Sequence, residues 1–426
     1  MDEKNILVLA YQLSPTKGSE YSVAWNYVTR MSKYNKLTVL YGVSGEHLGD
    51  CDEMEEFAKS TGLLNVTFVC VKPNKWTNML NWCNRHNFLN YTFYFAYQAW
   101  QKQVYKVAKT LIQNEKIDLI HFVGPTGYRE PGYLWKLGLP YIWGPIGGAN
   151  SNSLILTKKI STISKLKFIF RNWANQIQLK FNRRLRNALH CTDLLLTSTS
   201  ENQQIFKTVL HINSYYLPEN SIASPIKLNE KKFNNIDKFH FIIVGSLIPR
   251  KAVNILLEAL VLIKHKEKIV VDIVGNGPER QALEVFSKKH QLQSYINWHG
   301  QLPRNKAVDV FNNAHMHVIT STSEGNPTTI WEAMSHGVPT ISFDHCGMHD
   351  TICERCGIRI PIHNYNQCVN DLANEIDELL EHPKRFEELA FGVLECAKKF
   401  TWEEREKFLL NYYEMAISNY KNKHNV

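Results

Sequence analysis

No stretch of this 426-residue chain is apolar for long enough to cross a bilayer as a helix. The first apolar run, residues 6–11, is short and follows Asp2 and Glu3. It lacks the basic start and small-residue cleavage site of a secretory signal, so a buried strand and a cytosolic protein are expected. No Gly-x-Gly-x-x-Gly follows that strand, which disfavours a nicotinamide-dependent dehydrogenase. The nine cysteines are mostly scattered, as reduced thiols of a long intracellular chain would be. One cluster (His345, Cys346, His349, Cys353, Cys356 and His363) contains a Cys-x-x-Cys, but zinc ribbons need a second pair. Cys346 and Cys368 do not supply one, so no metal site is expected. Between Glu130 and Asp193 there is no acidic residue at all.

What is present describes a globular α/β protein. The chain is 44% hydrophobic and 21% charged, and its length exceeds one ordinary core, so two domains are expected. Short β-branched runs at 6–11, 36–41, 66–71, 118–123, 139–143 and 193–198 read as buried strands, with helical patterns between several of them, for example at 21–33 and 103–113. A second series lies at 239–244, 270–274, 296–299, 317–320 and 339–343. Strands alternating with helices imply parallel sheets covered on both faces. Residues 218–238 are polar and aperiodic, as a linker would be. The expected organisation is two Rossmann-like domains facing a cleft, 1–217 and 239–401, with a final helix over 402–426.

Ligands of such sheets collect at the carboxyl ends of the strands. Five of those ends carry suggestive residues: Lys17-Gly18-Ser19-Glu20; His121, then Gly124-Pro-Thr-Gly-Tyr-Arg129; Gly245-Ser246-Leu-Ile-Pro-Arg250-Lys251; Gly275-Asn-Gly-Pro278; and Glu324-Gly325-Asn326-Pro327-Thr328-Thr329-Ile-Trp-Glu332. In the last, Pro327 suits the first helical position, which leaves the amides of Thr328, Thr329 and Ile330 as an anion site at a helix tip. One glutamate stands in the loop beside that site and the other about two turns down the helix. Phosphate at a helix tip and a diol on a carboxylate together describe a nucleotide-diphosphate ligand.

These residues resemble the retaining, nucleotide-sugar-dependent glycosyltransferases of family 4, which have the GT-B fold. The resemblance rests on Glu324 and Glu332-Ala-Met334, Gly337-Val-Pro339, Val244-Gly-Ser-Leu-Ile-Pro-Arg-Lys251 and Val274–Pro278, with looser support from Lys17–Glu20, Asp118–His121 and Trp143–Gly148. It implies that Lys251 neutralises the donor diphosphate, Glu332 holds the ribose, Glu324 contacts the donor sugar and His121 lies beside that sugar. Gly18, Gly245, Ser246, Gly325, Asn326, Thr328 and Thr329 would complete the donor site. No cofactor or bound metal is implied. Ser246 stands where the family has arginine, and Arg250 is the candidate to replace that charge. The final helix, opened by Thr401-Trp402, would cross back to the first domain.

The acceptor side is read from charge. The net charge is +9, and the acid-free stretch sets Lys158, Lys159, Lys165, Lys167, Arg171, Lys180, Arg183, Arg184 and Arg186 among Ile, Leu, Phe and Trp. Interleaving of this kind suits an anionic membrane surface. Arg129 is a further acceptor-side candidate. An aromatic stretch with Trp76, Trp82, Phe88, Tyr91, Phe93, Tyr94, Phe95, Tyr97 and Trp100 reads most simply as a helix with a buried apolar face. Nucleic acid is disfavoured because no reading module accompanies the charge. The expected activity is metal-independent, retaining transfer from a nucleotide-sugar, UDP-linked before GDP-linked, to a lipid-linked saccharide on the inner face of the cytoplasmic membrane. A nucleotide-sugar epimerase and a non-catalytic subunit of a glycan-assembly complex are the alternatives.

Overall fold

The computed structural model describes residues 2–18, 20–60, 63–86, 88, 92–223, 225–234 and 236–425, with backbone alone at 304 and 305. Ser19 of the first glycine loop and Tyr91 of the aromatic stretch lie outside the described residues. The chain divides into two compact α/β units.

The first unit is built on a seven-stranded parallel sheet of β1 (Asn5–Ala10), β2 (Lys36–Tyr41), β3 (Val66–Cys70), β4 (Leu119–Gly124), β5 (Tyr141–Ile146), β6 (Leu194–Thr197) and β7 (Tyr215–Tyr216), in the order β3-β2-β1-β4-β5-β6-β7. Residues Ile6–Ala10 of β1 are wholly buried, which is why they form an unbroken apolar run rather than an alternating one. The helix Glu20–Met31 buries Val23, Ala24, Tyr27, Val28 and Met31 at helical spacing. The aromatic stretch splits in two. Trp76, Met79 and Trp82 of the helix Lys75–Arg85 are exposed, whereas Tyr97 and Trp100 of the helix Phe93–Asn114 are buried. Trp100 donates from Nε1 to the Val71 carbonyl at 2.7 Å, and its ring occupies the space that a side chain at Gly42 would need.

The second unit holds a six-stranded parallel sheet of β8 (Phe239–Val244), β9 (Ile269–Val274), β10 (Ile296–Gly300), β11 (Met316–Ile319), β12 (Thr340–Phe343) and β13 (Gly357–Ile360), ordered β10-β9-β8-β11-β12-β13. Strand order reverses between β8 and β11, which makes their carboxyl ends the topological switch point where ligands of such sheets bind. The strands β7, only two residues long, and β13, whose Gly-Ile-Arg-Ile carries a glycine and a charge, are not among the expected strands.

Two segments join a unit remote from their place in the sequence. Asn150–Asn175 groups with the second unit, although the sequence reading had assigned it to the first. Leu156 is fully buried in that unit's core, and Lys159 meets Glu258 at 2.8 Å. The helix Trp402–His424 leaves the second unit, and from Arg405 onward the chain groups with the first. There Tyr413 OH lies 2.5 Å from Tyr27 OH, Lys4 pairs with Glu414 at 2.6 Å, and buried Arg405 donates to the Pro218 carbonyl. Among the described residues, no helix is long and apolar enough to cross a membrane.

Candidate functional site

At the switch point of the second unit, Gly245 follows β8 with a φ of +144° that favours glycine. Its bare Cα also makes room for the lysine expected at the phosphate. A Cβ there would stand 3.2 Å from Lys251 Cε and 3.6 Å from Nζ. The next loop closes on it similarly. A Cβ on Gly275 would fall 1.9 Å from the Gly245 carbonyl oxygen, and one on Gly277 would fall 2.4 Å from that of Leu247. Ser246, between these contacts, is exposed. The turn Pro249–Lys251 then leads through Ala252 into the helix Val253–Leu262.

The loop after β11 is tied to that turn through main chain. Thr320 Oγ1 donates to the Lys251 carbonyl at 2.9 Å, and the Thr322 amide donates to the Arg250 carbonyl at 2.8 Å. Glu324 is only 8% exposed, and its carboxylate is shared between two cations. Arg250 Nη1 is 2.6 Å from Oε2, and Lys251 Nζ is 2.6 Å from Oε1. Arg250 also donates to the Ser323 carbonyl at 2.8 Å. The direction of Arg250, which sequence could not give, is therefore toward the same carboxylate as Lys251. Burial pushes the Glu324 carboxyl upward, but the Lys251 and Arg250 charges and hydrogen bonds outweigh it and hold the group below its ordinary range. One carboxylate and two cations leave the trio with one net positive charge, and Glu324 stands four residues before the first residue of the next helix.

That helix, Thr328–Ser335, begins one residue later than the sequence suggested. Pro327 has extended ψ (126°) and is the capping residue, not the first helical one. The Ile330 amide donates back to the Pro327 carbonyl at 3.0 Å and is not open to an anion. Thr328 and Thr329 remain as first-turn amides for which the helix itself has no acceptor. Glu332 lies one turn beyond Thr328, not two, and is half-buried. Asn326 is buried, and Gly325 sits under Gly347, where a Cβ would be 1.7 Å from the Gly325 carbonyl oxygen.

Other expected residues are carried by other elements. His121 belongs to the first unit and is 1% exposed, with Nε2 2.8 Å from the Gly144 carbonyl and Nδ1 3.0 Å from Tyr27 OH. The carbonyl can only accept, so Nε2 carries the proton and Nδ1 accepts from the phenol. Burial depresses the pKa to about 4 and keeps the ring neutral. Both nitrogens are thus committed inside the unit, which contradicts the sequence reading of His121 as a sugar contact. A position near a strand end does not imply exposure when helices cover both faces of the sheet. Gly18 is exposed with open space around it, so backbone approach by a ligand is possible there. The Arg129 guanidinium lies 5.1 Å from the Tyr128 ring centroid. Lys165, Lys167 and Arg171 are carried on the helix Thr162–Phe181.

Several bracing residues escaped the sequence reading. Asn150 Nδ2 donates to Ser323 Oγ at 3.0 Å and lies 3.1 Å from Cys346 Sγ. His345 Nε2 reaches the Ser321 carbonyl at 3.0 Å. His345 and Cys346 thus steady the loop that ends at Glu324. No spacing rule could pair Asn150 with Ser323, because they are 173 residues apart.

Residues 226–390 match the family model of glycosyl transferases group 1. They form a glycosyltransferase domain. The chain is 26% identical over 318 residues to an uncharacterized glycosyltransferase of Methanocaldococcus jannaschii, covering 73% of this chain and 79% of that protein. Among solved structures, Anabaena HepE in complex with UDP and glucose superimposes with a TM-score of 0.63 at 14% identity, over 97% of this chain and 100% of that one. The lipopolysaccharide outer core galactosyltransferase WaaB, in its apo form, gives 0.63 at 15% identity, over 96% and 98%. At such identities these two establish the GT-B fold and nothing finer.

Proposed function

We propose that this glycosyltransferase moves a sugar, with retention, from a nucleotide-sugar to a saccharide acceptor in glycan biosynthesis, and that the donor is a UDP-sugar. The reading rests on one observation: Arg250, Glu324 and Lys251 meet at the β8/β11 switch point, in the loop that leads into the helix opened by the amides of Thr328 and Thr329. When the anomeric carbon–oxygen bond breaks, negative charge grows on the β-phosphate. Two cations and two amides fixed there stabilise that charge without a metal. Glu324 is a poor nucleophile and a poor base, because both oxygens are ion-paired and its acidity is raised. It orients Arg250 and Lys251 and contacts the donor sugar, while the departing phosphate takes the acceptor proton on the same face. Glu332 binds the ribose. UDP is favoured over GDP by the presence of UDP in the HepE structure. A thermal-shift series with UDP, GDP and ADP tests the donor. At a hundredfold excess over Kd, the true ligand stabilises by about 2.7 kcal/mol. A flat response to UDP would reject that choice.

The acceptor is a lipid-linked saccharide at an anionic membrane. This reading is supported by the helix Thr162–Phe181, whose Ile163, Leu166, Phe170, Trp173, Ile177 and Phe181 are all exposed at helical three- and four-residue spacing. Lys167 and Arg171 border that stripe. Each cation near an anionic surface contributes about 1 kcal/mol, and the buried stripe adds a part that salt does not screen. Wild-type protein should therefore float with anionic vesicles, weaken with salt and lose most binding on Trp173→Ser with Phe170→Ser. Indifference to anionic vesicles at low salt would remove the support for a lipid-linked acceptor.

A further inference from the structure

Three thiols of the second unit converge where the sequence showed only two. Cys353 Sγ lies 3.2 Å from Cys396 Sγ and 3.5 Å from Cys356 Sγ. All three sulfurs fall within 4.8 Å of one another. Cys353 and Cys356 bracket a tight turn closed by the Cys356 amide on the Cys353 carbonyl at 2.9 Å, leading directly into β13. Backbone of Arg355 and Cys356 hydrogen-bonds to Cys353 Sγ, and the Cys353 amide points at Cys356 Sγ from 3.3 Å. Amides aimed at sulfur favour thiolate and orient it as a ligand.

The third thiol is brought in by a glycine. Cys396 is on the helix Lys384–Ala397, one turn after Gly392, and a Cβ on Gly392 would lie 1.7 Å from the Arg355 carbonyl oxygen. Only a bare Cα lets this helix rest on the Cys-x-x-Cys turn. Cys356 and Cys396 are 1% and 5% exposed, while Cys353 is half-buried and borders solvent. Burial pushes the Cys396 thiol up. For Cys353 burial acts the same way, but hydrogen bonds from Cys396, from the Arg355 and Cys356 backbone and from Cys356 bring it below its ordinary value. The surroundings are apolar, including Ile330, Trp331 and Met334 of the helix that begins at Thr328. A cation held by the thiols would thus stiffen the packing behind the candidate donor site.

We propose that Cys353, Cys356 and Cys396 form a structural site for a thiophilic d10 cation of the zinc class, with water in the fourth position beside Cys353. Binding exchanges thiol protons for metal–sulfur bonds, M2+ plus three thiols giving the tris-thiolate and three protons, with no change of oxidation state. The site does not depend on the identity of the donor or acceptor.

The test uses full-length, reduced protein and Co2+ as probe, followed by displacement with Zn2+. One Co2+ per chain should bind with a thiolate-to-cobalt charge-transfer band in the near ultraviolet, and Zn2+ should abolish that band. Cys353→Ser and Cys396→Ser should each lose the band, whereas Cys191→Ser, at an exposed cysteine elsewhere, should keep it. Circular dichroism on the same samples separates loss of ligand from loss of fold. The half-buried Cys353 is the less disruptive position, so a folded Cys353→Ser that keeps the band overturns the proposal. So does a folded, reduced wild type that gives no band, or one isolated with a Cys353–Cys396 disulfide that still gives none after reduction.

Discussion

Replacing Lys251 by alanine should cut sugar transfer by about 10²–10³-fold, the size of effect seen when a pre-positioned group is removed from a developing charge. The geometry says why one lysine matters so much. Arg250, Lys251 and Glu324 carry one net positive charge between them, and removing Lys251 leaves a neutral Arg250–Glu324 pair. The diphosphate would then face two amides and no net charge. Lys251→Arg should not rescue fully, because a planar guanidinium on a longer stem does not reproduce the compact ammonium that meets Glu324 Oε1 at 2.6 Å. Arg250→Ala removes the same net charge and should cost a comparable factor. Steady-state rates with saturating donor check both variants. A wild-type rate for Arg250→Ala would mean that Arg250 does not stand in for the cation absent at Ser246.

The glycine-rich strand ends were readable in the sequence because their chemistry is local. A strand, a turn and a helix start lie within a few residues, so the loop at Glu324 and the helix that follows Pro327 could be read directly. Strand alternation gave the two parallel sheets for the same reason. Most of what failed depends on contacts distant in sequence. His121 looked available at a strand end until Tyr27 and Gly144 enclosed it. Residues 150–175 sit between first-unit strands in the sequence yet contribute Leu156 to the second core. Cys353 and Cys356 showed no third thiol beside them in the sequence because Cys396 comes from a helix 40 residues beyond Cys356. Pro327 was misplaced by one position, since proline is compatible both with capping a helix and with opening it.

The two glutamates should separate in kinetics. Glu324→Gln leaves both cations in place but without the carboxylate that aims them, and it raises the local net charge from one to two. Ground-state attraction for the diphosphate is kept or strengthened, while the alignment required as the sugar departs is lost. Breaking a buried pair also destabilises by about 3–5 kcal/mol, so the variant has to be assayed well below its lowered Tm. Its kcat should fall by roughly 10²-fold with donor KM unchanged or lower. Glu332→Gln should raise donor KM at near-constant kcat, because a ribose contact is made equally in ground and transition states. The most direct measurement is therefore the kcat and donor KM of both variants in one transfer assay. A kcat effect confined to Glu324→Gln and a KM effect confined to Glu332→Gln are expected. A Glu324→Gln enzyme with wild-type kcat would show that the Arg250–Glu324–Lys251 constellation is not where the sugar is transferred.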